Sequence, residues 1–147
     1  MKRNNVVVGN PVRSYVLDTF AILCYLRDED GADKIEHILT EAQNKRYALY
    51  LSWINLGEVY YIVIRREGAD RAIRVLEAIK HWPVALIIPS ENDILAAAEI
   101  KAAYPLSYAD AFAAALAEKN KAALLTGDRE FERLQVDGRV HIEWLPA

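Results

Sequence analysis

Four carboxylic acids carry the chemistry this chain could do: Asp18, Glu58, Asp110 and Asp128. Carboxylates gathered in one pocket repel, and their pKa values rise unless a cation compensates. One or two divalent ions would remove that conflict. An all-oxygen donor set selects hard ions, Mg²⁺ or Mn²⁺, over Zn²⁺. His37, His81 and His141 are scattered, none near the acids in sequence, and read as surface or core residues. Taken singly, three of the acids have a plainer explanation. Asp18 can cap a helix beginning at Thr19, and Asp128 one beginning at Arg129. Ser107-Tyr108-Ala109-Asp110 fits a capping box, as does Ser90-Glu91-Asn92-Asp93, to which no chemistry is assigned. Glu58 breaks the pattern. It lies too far into its helix to cap anything, its neighbours are mostly apolar, and no basic residue stands three or four positions away. A carboxylate held there is costly without a cation.

The elements that must position these acids follow from the apolar pattern. Tyr15 to Leu17 reads as a short strand ending on Asp18, and Thr19 to Leu26 as the helix after it. Ala32 to Lys45 has the three-and-four apolar spacing of an amphipathic helix, and Tyr47 to Leu51 is a second strand. The next helix, capped by Ser52, runs to about Arg66 with Leu56, Val59, Tyr60 and Val63 on one face; Gly68 breaks it. A helix over Ala69 to Lys80 is expected with Ile73, Leu76 and Ile79 inward and Arg71, Arg74 and Lys80 outward. Val84 to Ile88, apolar throughout, reads as a strand covered on both faces. Helices from Ser90 to about Ala103 and from Ser107 to about Lys119 follow, the second alanine-rich and able to approach its neighbours closely. Ala122 to Leu125 is a fourth strand, Arg129 to Leu134 a short helix and Val140 to Trp144 a last strand. Strands alternating with helices give an α/β fold, a three-layer α/β/α sandwich around a parallel sheet. Ligands bind such sheets off the C-terminal strand ends, where the strand order switches. Asp18 and Asp128 both follow strands and would share that edge if those strands are neighbours.

The 147 residues are 53% apolar, enough for one domain with a sizeable core, expected over residues 14–147 behind a disordered leader at 1–13. That leader carries Lys2, Arg3 and Arg13 but no apolar h-region, and no run is long enough to span a bilayer. A soluble, cytoplasmic protein without a membrane partner is expected. Its one cysteine, Cys24, allows no internal disulfide and lies in an apolar run, so it reads as core rather than nucleophile. A net charge of −3 gives no global pull toward nucleic acid; a polyphosphate would be held through metal ions or a local basic patch.

Four blocks carry a resemblance. They are Val16-Leu17-Asp18-Thr19, Leu51-Ser52-Trp53-Ile54-Asn55-Leu56-Gly57-Glu58-Val59, Leu106-Ser107-Tyr108-Ala109-Asp110-Ala111-Phe112 and Leu125-Thr126-Gly127-Asp128-Arg129-Glu130-Phe131. In this order the chain, from about Tyr15 to Leu145, resembles PIN-domain ribonucleases, most closely VapC-type toxins of toxin–antitoxin pairs. The resemblance implies about five parallel strands in the order 3-2-1-4-5, with Asp18, Glu58, Asp110 and Asp128 as the catalytic, metal-binding acids. It implies that the Thr126 hydroxyl holds a ligand or a water in place. The implied activity is Mg²⁺- or Mn²⁺-dependent endonucleolytic cleavage of single-stranded or looped RNA, with one or two ions, leaving a 5′-phosphate and a 3′-hydroxyl. A homodimer and a cognate VapB-type antitoxin are the implied partners. Arg65, Arg66 and Arg129, with Arg71 and Arg74, are candidates for RNA phosphate contacts, though a solvated helix face explains each equally well. The chain departs from the pattern at Phe20, where a small polar residue is common.

Three rival readings remain. One is a PIN nuclease of RNA maturation or quality control. Another is a catalytically silent RNA-binding PIN module. The third, a haloacid-dehalogenase-like phosphatase, needs a second Asp two places after Asp18, where Phe20 stands; kinase and dinucleotide-binding readings fail because no glycine-rich phosphate loop is present.

Overall fold

The computed structural model describes residues 13–146. The expected leader therefore lies outside the described residues, except for Arg13, which opens the first strand. Strands β1 (Arg13–Leu17), β2 (Tyr47–Ser52), β3 (Ala85–Ile87), β4 (Ala123–Thr126) and β5 (Ile142–Trp144) form one sheet in the order β3-β2-β1-β4-β5. Every pairing is parallel. Helices α1 (Thr19–Leu26), α2 (Ala32–Gln43), α3 (Trp53–Glu67), α4 (Ala69–Ile79), α5 (Glu91–Ala103), α6 (Tyr108–Asn120) and α7 (Glu132–Val136) supply the crossovers, with a 3-10 turn at Arg129–Phe131. The expected α/β/α sandwich and its strand order are both present.

The alternation of side chains along a strand divides the core in two. Tyr15 and Leu17 of β1, Leu49 and Leu51 of β2 and Leu125 of β4 pack with α1 to α4. Val16 and Leu124 point the other way, into a second cluster with α5, α6 and α7. Strand β1 is central because it is apolar toward both layers. Helix α6 lies closest to the sheet: Ala111, Ala113, Ala114, Ala115 and Ala117 are all buried, and small side chains permit that approach.

Two expectations are corrected. The run Val84–Ile88 is not covered on both faces. It narrows to the edge strand Ala85–Ile87, and Ile88 is 77% exposed. On α4 the inward positions are Ala72, Val75 and Ile79, while Ile73 is 50% exposed. The helix is rotated from the expected face because small Ala72 lets it pack closely.

Cys24 is buried in the first core cluster, its thiol against the Asp30 carbonyl oxygen, and burial pushes its pKa up. The three histidines lie on the surface. Among the described residues no helix is long and apolar enough to cross a membrane.

Candidate active site

The pairing of β1 with β4 sets Leu17 beside Leu125, so Asp18 and Thr126 leave the same edge of the sheet together. Asp18 caps α1, its Oδ1 accepting from the Ala21 amide at 2.8 Å. Its Oδ2 accepts from the Thr126 hydroxyl at 2.5 Å, and the same hydroxyl oxygen accepts from the Asp128 amide at 3.0 Å. Thr126 thus ties the two acids to one another. Asp128 turns its own Oδ1 to the Glu130 amide, capping the 3-10 turn. Both capping expectations hold, and neither consumes a carboxylate, which offers about four lone-pair sites.

Asp110 departs from its expected cap. Ser107 accepts from the Asp110 amide at 3.1 Å, but Asp110 forms no reciprocal box. The identical pattern at Ser90 does close, with Asp93 bonded back to the Ser90 amide. The pKa directions follow the geometry: the Ser90 amide and Lys119 hold Asp93 below its usual range, whereas Asp110 is pushed up to about 7. Burial is the larger cause for Asp110, followed by the charge of Asp128.

Asp18, Glu58, Asp110 and Asp128 line one cavity of about 310 Å³, with Thr19, Phe20, Leu23, Ile62, Ser107 and Glu130. Asp18 is buried and its pKa is also raised to about 7, by desolvation first, against the Thr126 and Ala21 hydrogen bonds, with Asp110 and Asp128 adding repulsion. Glu58 is half-buried rather than enclosed by apolar neighbours, and its Oε1 accepts from the Thr19 hydroxyl at 2.5 Å. Its intra-helical neighbours are apolar, yet the residue faces the cavity, which only the fold reveals.

Carboxylate oxygens of Asp110, Asp128 and Glu130 lie within 4.8 Å of one another. Glu130 was not singled out from the sequence, although an acid two places after Asp128 in a tight turn was a usable signal. Thr19 and Asn55 were also missed. Asn55 is fully buried on the apolar stripe of α3, where a polar residue stands out. Its Nδ2 donates to the Thr19 hydroxyl and to the Ala109 carbonyl, each at 3.2 Å. It therefore joins the two helical layers beside the acids, and its Oδ1 has no hydrogen-bond partner among the described residues.

The donor set fits a hard divalent ion. All the candidate ligands are carboxylates, and two of them hold pKa values raised by burial first and by the neighbouring acids second, a cost that a cation would offset. The arginines are less well placed. Arg65 and Arg66 are exposed at the far end of α3, seven and eight residues beyond Glu58 and so about 10 Å or more along the axis. Arg71 and Arg74 are exposed on α4, and none of the four lines the cavity. Arg129 is exposed between Asp128 and Glu130, its guanidinium 4.2 Å from the centre of the Trp144 ring.

Residues 15–137 match the PIN domain. Comparison with curated protein sequences finds no match. Among solved structures, the chain is similar to VapBC2 from Rickettsia felis, bound to a DNA fragment from its promoter, at 19% identity and a TM-score of 0.69, covering 90% of this chain and 98% of that one. DNA-bound VapBC from Salmonella typhimurium is similar at 19% identity and a TM-score of 0.68, covering 90% and 98%. VapC20 from Mycobacterium tuberculosis, a sarcin–ricin-loop-cleaving toxin, is similar at 18% identity and 0.62, covering 90% and 99%. With the family match spanning most of the chain and an edge cavity gathering acids from four segments, this protein belongs to the PIN-domain family.

Proposed function

We propose that this chain is a metal-dependent endoribonuclease that cleaves single-stranded or looped RNA, acting as the toxin of a toxin–antitoxin pair, dimeric and neutralised by a cognate VapB-type antitoxin. One observation carries the reading: four carboxylates from distant segments line a single cavity, and two of them, Asp18 and Asp110, have pKa values raised to about 7. Such a cluster is costly by itself and useful with a cation. The likeness to VapBC structures supports the toxin assignment and the antitoxin partner.

Asp18, Glu58, Asp110 and Asp128, with Glu130, would hold Mg²⁺ or Mn²⁺. When bound, such an ion would supply Lewis-acid chemistry, making a water more acidic and offsetting charge on the phosphoryl oxygens. The protein's own share is to hold those carboxylates in place. Thr126 fixes Asp18 against the loop carrying Asp128, and Thr19 fixes Glu58. A carboxylate of this set also accepts the proton of the attacking water.

The test is cleavage-site mapping on total RNA with Mg²⁺, Mn²⁺ or EDTA. Wild type is expected to cut at defined sites only with metal. Asp110→Asn should be slower by at least about 100-fold, the scale of losing an electrostatic or acid–base group. Equal cleavage by both proteins would remove the site assignment.

A further inference from the structure

We propose that the apolar wall of the cavity, formed by Phe20, Leu23 and Ile62, is a nucleobase subsite that seats the base flanking the scissile phosphate; this rests on the nuclease reading above. The cavity has two linings of opposite chemistry. Five acids and three apolar side chains line it together. A phosphodiester needs only the acids. A nucleotide joins a charged phosphate to a flat aromatic base, and single-stranded RNA leaves that base free to pack on a protein ring.

Phe20 is fitted to be that ring. It lies two residues after Asp18 and directly follows Thr19, whose hydroxyl holds Glu58. It is only partly buried, so part of its surface faces the cavity. It packs closely against Gly127, between Thr126 and Asp128, where an added Cβ would collide with the ring. The ring therefore sits beside the loop that carries Asp128, in the same cavity as the acids. A nucleotide offers both a base for the apolar residues and a phosphate for ions held by the acids of the same cavity.

Base–aromatic stacking contributes about 5- to 150-fold in affinity per base. The experiment uses the full chain with Mg²⁺ and short RNAs covering a mapped cleavage site, each with one abasic position. For wild type, one flanking abasic position should raise KM about 10-fold with little change in kcat. Phe20→Leu should abolish that penalty, and Phe20→Tyr, which keeps the ring, should retain it. With turnover stopped by Asp110→Asn, 2-aminopurine at the same position should be quenched on binding when residue 20 is Phe and not when it is Leu.

An abasic penalty that is the same in wild type and Phe20→Leu overturns the subsite while leaving the nuclease intact. So does a Phe20→Leu protein that loses only antitoxin affinity, since the wall would then serve a protein partner. A wild-type protein that binds Mn²⁺ yet cleaves no RNA overturns both readings.

Discussion

Asp18 shows how one carboxylate can be a helix cap and still belong to a reactive cluster. Its Oδ1 caps α1 and its Oδ2 takes the Thr126 hydroxyl, yet burial raises its pKa to about 7. In the unfolded chain an Asp titrates near 3.9. The folded, metal-free protein therefore holds this proton more tightly, and its stability falls as pH rises from about 4 to about 7. Asp18→Asn removes that titration. Without metal, the variant should lose less stability than wild type between pH 5 and pH 8, and at pH 8 should melt higher by a few degrees, at about 2–4 °C per kcal/mol for a chain this size. Its Mn²⁺ affinity should fall at least about 10-fold. Melting curves in EDTA and Mn²⁺ titrations check both; an unchanged pH slope would show that Asp18 is not the titrating group. The motif containing Asp18 was legible in the sequence. That Asp93 closes a box while Asp110 stays open was not, because the two share a sequence pattern and differ only in surroundings.

At the scale of elements, the loop from β4 into the 3-10 turn meets the first turn of α1 where Phe20 packs on Gly127. Gly127→Ala should destabilise the fold by about 1–3 kcal/mol through overpacking. Adding Phe20→Leu should recover part of that loss, so the two changes should not be additive. Chemical denaturation of the four proteins in the cycle measures this, and strict additivity would mean that the contact carries no strain. The crossovers and their order were readable because runs of apolar residues alternate with helical spacing. The faces were less so. Ile73 and Ile88 are apolar but solvent-facing, since a strand at the sheet edge and a helix rotated toward Ala72 leave them no partner. Asn55 could have been flagged by its place on an apolar stripe, but its partners, Thr19 and Ala109, come from 36 and 54 residues away.

For the whole molecule, the site is where the two helical layers meet beyond the end of the sheet. Asp18 and Glu58 come from the layer of α1 and α3, and Asp110 from the layer of α6. An ion held by both should stabilise the entire fold. Free Mn²⁺ at 100 times its dissociation constant should add about 2.7 kcal/mol to wild type. Asp110→Asn should gain far less at the same concentration. Denaturant midpoints with and without metal give the answer, and equal gains would place the ion elsewhere.

The bond from Thr126 to Asp18 spans 108 residues. Synthesis runs from the N-terminus at about 5–20 residues per second, so Asp18 waits at least several seconds on the ribosome before Thr126 and Asp128 are made. Until then β1 has no β4 beside it and the acid cluster is incomplete. A nascent chain thus lacks the assembled carboxylate cavity until those residues have been made. The long connection acts as a built-in delay, and the site is complete only once nearly all of its domain has been translated.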